Sequence, residues 1–141
     1  MPTAWQSNFG VVNFTGASLA LSQDGHSGQI VVSNLAATQA ITLPAATGSG
    51  NVYEVFVQTT KTGDLTITTD GSDDLVGALE VTTDSSGTPF VSDGTDTVIT
   101  MNGSTTGGVK GSYVKLRDVA EATWLVTGRL LASGTEATPF G

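Results

Sequence analysis

"ITLPAATGSGNVYEVFVQTT", residues 41–60, is the stretch on which the fold turns. A short apolar run closes at Leu43-Pro44, a loop of small residues follows, and an alternating segment opens at Asn51. Successive side chains of a strand point to opposite faces. Across residues 52–59, Tyr53, Val55 and Val57 therefore oppose Val52, Glu54, Phe56 and Gln58, and the pattern predicts a strand partly covered on both faces.

Working outward, the same reading predicts strands over residues 29–34, 39–43, 64–69, 75–81, 96–101, 109–117 and 123–130, with a weaker one over 18–21. In 64–69, Leu65 and Ile67 share one face and Thr66 and Thr68 the other; in 109–117, Val114 and Leu116 face inward, so Lys115 faces water or a partner. No window carries apolar residues at helical spacing with a charged opposite face. The weak helical candidate, "RDVAEATW" (117–124), reads as a loop or single turn. The connections "TKTG", "TDGSDD", "TDSSGTP", "SDGT" and "NGSTTGG" are rich in Asp-Gly and Asn-Gly, which signal hairpins because primed turns need positive φ. The expected fold is all-β: an antiparallel β-barrel or jelly-roll-like sandwich over residues 16–141, preceded by an extended N-terminal arm over residues 1–15.

The chain of 141 residues is one domain by size and has no cysteine, which removes disulfides, thiolate metal sites and cysteine nucleophiles. Its formal net charge of -8 makes nucleic acid a poor partner, since phosphate contacts need Lys and Arg. The charges are unevenly placed. Asp64, Asp70, Asp73, Asp74, Glu80, Asp84, Asp93 and Asp96 fall in a stretch without a cation, while Lys110, Lys115, Arg117 and Arg129 come later, so an electrical polarity is possible beside an even scatter on solvated faces. No run is long enough to span a bilayer and the N-terminus lacks signal-peptide features, so a soluble protein outside the usual secretory route is expected, with no membrane partner.

Reactive residues are sparse. The single histidine, His26, sits between glycines in "SQDGHSGQ" and reads as an exposed turn residue without the companions of a zinc site. Ser7 and Ser18 are ordinary strand or loop serines. "DGSDD" (70–74) holds several carboxylates that could suit calcium, but the spacing departs from a calcium loop and a hairpin turn is expected. Trp124, Tyr113, Tyr53 and Phe56 fall on predicted strands and are expected in the core, whereas Trp5, Phe9 and Phe14 lie in a segment without strand pattern. Leaving such rings wet costs roughly 1.5–3 kcal/mol each, so they dock either on their own domain or on a neighbour. No constellation suggests an enzyme or a cofactor.

The run "ITLPAA", a Gly-rich turn, "YEVFV", "LTITTDGSDDLVG", and near the end "GSYVKL" and "ATWLVTG" together resemble a β-rich module of bacteriophage virion proteins. The likeness, over roughly residues 38–130, is to the small head decoration (cement) proteins and to related head-fibre and tail-fibre domains; the chain departs at "RDVAEATW", where Gly or Asn before the tryptophan is more usual. The resemblance implies a small β-barrel or jelly-roll-like protomer that forms a homotrimer on the outer surface of the virion's capsid, made in the host cytoplasm. There it clamps subunits of the major capsid protein at threefold and quasi-threefold positions. Capsid or protomer contact is then expected at Trp5, Phe9, Phe14, Lys115 and Arg117. The alternatives are a tail-fibre, spike or head-fibre domain, against which a length of 141 residues from Met1 favours a self-contained chain, and a carbohydrate-binding module, which predicts a row of exposed aromatics or a calcium loop on one face.

Overall fold

The computed structural model describes residues 10–141. Eleven strands and one short helix follow in order: β1 (Val11–Phe14), β2 (Ser18–Ala20), α1 (Gln23–His26), β3 (Ile30–Ser33), β4 (Gln39–Thr42), β5 (Val52–Val57), β6 (Leu65–Thr68), β7 (Asp74–Thr82), β8 (Gly87–Val91), β9 (Val98–Met101), β10 (Tyr113–Ala120) and β11 (Thr123–Leu131). They form a seven-stranded sheet, ordered β1-β3-β5-β10-β11-β7-β8, and a four-stranded sheet, ordered β2-β4-β6-β9. The all-β character expected of the sequence is present, and of the barrel and the sandwich left open there, the described residues form two sheets and no closed barrel.

The pairing, however, is mixed. From β1 to β7 the chain changes sheet at every connection, so β1, β3 and β5 run parallel in one sheet while β2, β4 and β6 run parallel in the other. Parallel neighbours need a crossover between them. Here each crossover is a strand of the opposite sheet, so this half of the chain winds as a flattened coil. Two connections stay within one sheet: the turn between β7 and β8, and the turn between β10 and β11. The loops around Asp70-Gly71, Asp93-Gly94 and Asn102-Gly103 are therefore arches between sheets and not the hairpins their dipeptides suggested. Their glycines do take positive φ (97°, 89° and 80°), so the backbone requirement was legible while the destination of the turn was not. Gly103 also permits a close approach that a side chain would block, since a Cβ there would lie 2.0 Å from the Lys61 carbonyl oxygen.

"RDVAEATW" is neither helix nor loop: Arg117 to Ala120 complete β10, Glu121 and Ala122 make the turn, and Thr123 opens β11. The register shifts between Asp118 and Ala120, leaving Val119 as an exposed bulge residue. Two strands escaped the periodicity reading. One is β8, whose Pro89 suits its place at a sheet edge. The other is β1, which lies inside the predicted arm; from Val11 onward that segment is a sheet strand paired with β3, and Phe14 is buried in the chain's own core. Of the two docking options for that ring, the own-domain one applies.

The core lies between the sheets. Tyr53, Val55 and Val57 meet Leu75, Leu79, Val114, Leu116, Trp124, Val126 and Leu130 from the large sheet, with Ile41, Leu65, Ile67, Ile99 and Met101 from the small one. Each such aliphatic side chain contributes roughly 1.5–3 kcal/mol relative to an exposed one. Tyr53 and Trp124 pack edge to face with centroids 5.7 Å apart. The buried Trp124 Nε1 has no hydrogen-bond partner among the described residues, which costs about 1–3 kcal/mol.

Candidate interaction face

Alternation along the strands of the large sheet turns one residue set inward and leaves the other to form an outer face. The cross-strand registers arrange that face in rows. Asn13, Val32, Phe56, Tyr113, Arg129, Glu80 and Pro89 make one row; Val11, Ile30, Glu54, Lys115 and Thr127 make a second. Val52, Arg117, Leu125 and Val76 make a third.

Two regions of this face are unlike a solvated sheet surface. At one end an apolar groove of about 350 Å³ is lined by Val11, Ile30, Val32, Phe56 and Tyr113, with Glu54 as its charged wall. Val11 and Tyr113 are 66% and 50% exposed, so apolar surface is left in water. At the other end of β10 the exposed Arg117 lies between Val52 and Leu125, with Val76 next to Leu125 on the far side; Leu125 and Val76 are 39% and 41% exposed, and Val119 lies beyond the bulge. Lys115, Arg117 and Arg129, three of the five cationic side chains, project from this one face. Lys115 pairs with Glu54 at 3.4 Å and Arg129 with Glu80 at 2.9 Å, so cations and carboxylates interleave on this face, nearer the even scatter than the electrical polarity that the sequence left open; Arg117 has no ion-pair partner among the described residues. Exposed pairs of this kind contribute about 0–1 kcal/mol and serve mainly to position side chains.

Of the residues predicted to make contacts, Lys115 and Arg117 therefore share one face, Phe14 is buried away from it, and Trp5 and Phe9 lie outside the described residues. Tyr113 and Phe56, expected in the core, point to the outer side of their strands because Val114 and Val55 take the inward positions.

The remaining polar groups hold the arches. The Asp73 carboxylate accepts the Ala46 N–H at 2.7 Å. Asp118, also buried, accepts the Gly48 N–H at 2.6 Å, the Thr47 N–H at 3.0 and 3.1 Å and the Ser49 hydroxyl at 2.6 Å. Burial acts to raise the Asp118 carboxyl, but the Ser49 hydroxyl and the backbone donors outweigh it and hold the group below the ordinary aspartate range. On the opposite side, buried Lys61 donates to the carbonyls of Leu35 (2.5 Å) and Ala37 (2.7 Å) and to Gln39 Oε1 (3.1 Å), and burial lowers its pKa. Gln39 in turn accepts from Ser33 Oγ and donates to the carbonyls of Phe14 and Gly16.

In "DGSDD" the carboxylates serve separate tasks: Asp70 accepts from the Ser72 N–H and hydroxyl within its own turn, Asp73 points to Ala46, and Asp74 begins β7. No cluster of three or more His, Asp or Glu side chains placed to hold a metal occurs among the described residues. His26 closes α1, its Nδ1 accepting the Ser22 N–H at 2.9 Å. A wider, polar cavity of about 730 Å³ lies between the β7–β8 turn and residues 132–136, where Glu136 accepts from Ser86 and Thr83. No family model, curated protein or solved structure matches this chain.

Proposed function

We propose that the chain is a structural virion protein, a capsid decoration protein that binds as a homotrimer to the major capsid protein on the outside of a phage head and strengthens the seams between shell subunits. The observation that carries this reading is the row formed by Arg117, Leu125 and Val76: two exposed apolar side chains in line with a cation that has no ion-pair partner among the described residues, on the broad face of the seven-stranded sheet. Such a surface binds through shape, apolar contact and charge. The resemblance of residues 38–130 to virion β-modules supplies the partner class. Three linked protomers gain avidity because the second and third contacts form at high effective concentration.

Co-sedimentation with undecorated phage capsid shells tests the reading. Wild-type protein is expected to sediment with the shells, and the double variant Arg117→Glu, Leu125→Asp to stay in the supernatant while remaining folded. Equal sedimentation of both proteins would remove the row from the interface.

A further inference from the structure

The two sheets end in the edge strands β1 and β8 on the large sheet and β2 and β9 on the small one. An edge strand carries main-chain groups that invite a further strand, and proteins commonly blunt it. In the β7–β8 ladder the Ser92 N–H bonds to the Gly77 carbonyl and the Thr83 N–H to the Ser86 carbonyl. Bonded pairs alternate along an antiparallel ladder, so Gly87, Pro89 and Val91 turn their main-chain groups outward, and Pro89 has no N–H to offer at the centre of that edge. β9 is covered by the chain's own end, its Val98 and Thr100 N–H groups bonding to the carbonyls of Gly141 and Pro139. β2 is the shortest strand, three residues long.

β1 has no such guard. The Gly10 and Phe14 carbonyls accept the Ile30 and Asn34 N–H groups at 3.1 and 3.0 Å. Residues 10, 12 and 14 therefore face β3, while Val11 and Asn13 turn their N–H and C=O groups away from it, toward no other strand among the described residues. The strand, "VVNF", holds no charge and no proline, and Val11 is 66% exposed.

We propose that this edge pairs with the same edge of a second copy of the chain, antiparallel about a twofold axis through Val12. The edge is its own complement. With Val12 on the axis, Val11 of each copy stands opposite Asn13 of the other, and each outward N–H meets an outward C=O. No charge is brought against its like. Val12, already packed against the core, meets its own copy and carries the core across the junction. The contact is isologous and lies at the sheet edge, apart from the Arg117 row, so it does not depend on the shell reading. It is compatible with a homotrimer, in which a protomer uses one surface around the threefold axis and this edge toward a neighbouring trimer.

Sedimentation velocity and amide hydrogen exchange on the full chain test the proposal. The expected result is pairwise association that rises with concentration, with slowed exchange at Val11 and Asn13 that is lost on dilution. Asn13→Pro gives β1 the device that Pro89 gives β8, and Val11→Lys puts a cation on the edge. Each is expected to weaken the association by at least about tenfold, since the loss occurs on both sides of the axis. Neither change touches the β1–β3 ladder, and the near-ultraviolet circular dichroism of the Tyr53–Trp124 pair is expected to stay unchanged. Val11 and Asn13 amides that exchange at the unprotected rate in concentrated wild type would overturn the proposal, whether or not the variants fold. Association indifferent to both variants would also overturn it, as would protection that persists in the isolated protomer.

Discussion

The Asp118 carboxylate accepts the Gly48 backbone N–H at 2.6 Å, tying a central strand of the large sheet to an arch seventy residues earlier in the chain. The same carboxylate takes the Thr47 N–H and the Ser49 hydroxyl, so one buried anion organises the loop "ATGSG" that separates β4 from β5. Replacing it with Asn keeps the shape but removes the charge from several donors at once. Hydrogen bonds to charged groups contribute about 1.5–3 kcal/mol, so Asp118→Asn is expected to lower stability by about 2 kcal/mol in urea titrations.

The same group gives a pH dependence. The folded pKa of Asp118 lies below its unfolded value, so its contribution is complete above the unfolded aspartate pKa of about 3.9 and is lost as pH falls through the folded value. Stability measured by denaturant titration between pH 6 and pH 3 is expected to fall more steeply for wild type than for Asp118→Asn. Parallel curves would remove Asp118 as a source of acid sensitivity.

Lys61 poses the opposite problem, a buried cation held by neutral acceptors. Its removal leaves the carbonyls of Leu35 and Ala37 without that donor, and a buried polar group that loses its partner costs about 1–3 kcal/mol. Lys61→Met is expected to destabilise within that range. Because the folded pKa is lowered by burial, the unfolded chain binds the proton more tightly, and this residue's contribution should improve as pH rises toward the unfolded lysine pKa near 10.4. Lys61→Met should lose that alkaline gain.

Ala122 takes φ of 56° in the tight turn between β10 and β11, a conformation costing a non-glycine residue roughly 1–2 kcal/mol. Ala122→Gly is expected to stabilise the protein by up to about 1 kcal/mol, the gain in the fold being reduced by the greater freedom of glycine in the unfolded chain. Thermal unfolding would show an increased midpoint.

Phe14 and residues 1–9 separate cleanly as targets. The ring is 4% exposed in the core, and Phe→Ala in such a site costs about 3–5 kcal/mol. Phe14→Ala is therefore expected to be severely destabilised, whereas deleting residues 1–9 should leave the cooperative unfolding transition intact, since β1 begins at Val11. Deletion through residue 14 would conflate the two effects by removing β1.

The strands were legible where alternation was strong. Leu65 and Ile67, and Val114 and Leu116, face inward as their spacing requires, whereas in β5 alternation placed Tyr53, Val55 and Val57 on one face without marking it as the inner one. β1 and β8 were not legible, being short and interrupted by Asn13 or Pro89. Parallel pairing was hidden for a physical reason: Asp-Gly and Asn-Gly provide positive φ equally well to a hairpin and to an arch that changes sheet. Asp118 did leave a signal. Extending the alternation of Val114 and Leu116 by two places puts it on the buried face, where a carboxylate demands donors. Lys61 left none, because "TKTG" has no periodicity to place it. The interaction face was half legible: Lys115 was expected to face outward, but the row that Arg117 shares with Leu125 and Val76 is built across β10, β11 and β7, elements that sequence spacing alone does not bring together.

Imaging undecorated capsid shells after incubation with the protein tests the central claim most directly. The account predicts three-lobed density at the local threefold and quasi-threefold positions, with the outer face of the seven-stranded sheet turned toward the shell and Arg117 at the contact. Shells that stay bare at saturating protein, or lobes that meet the shell through the four-stranded sheet, would contradict it.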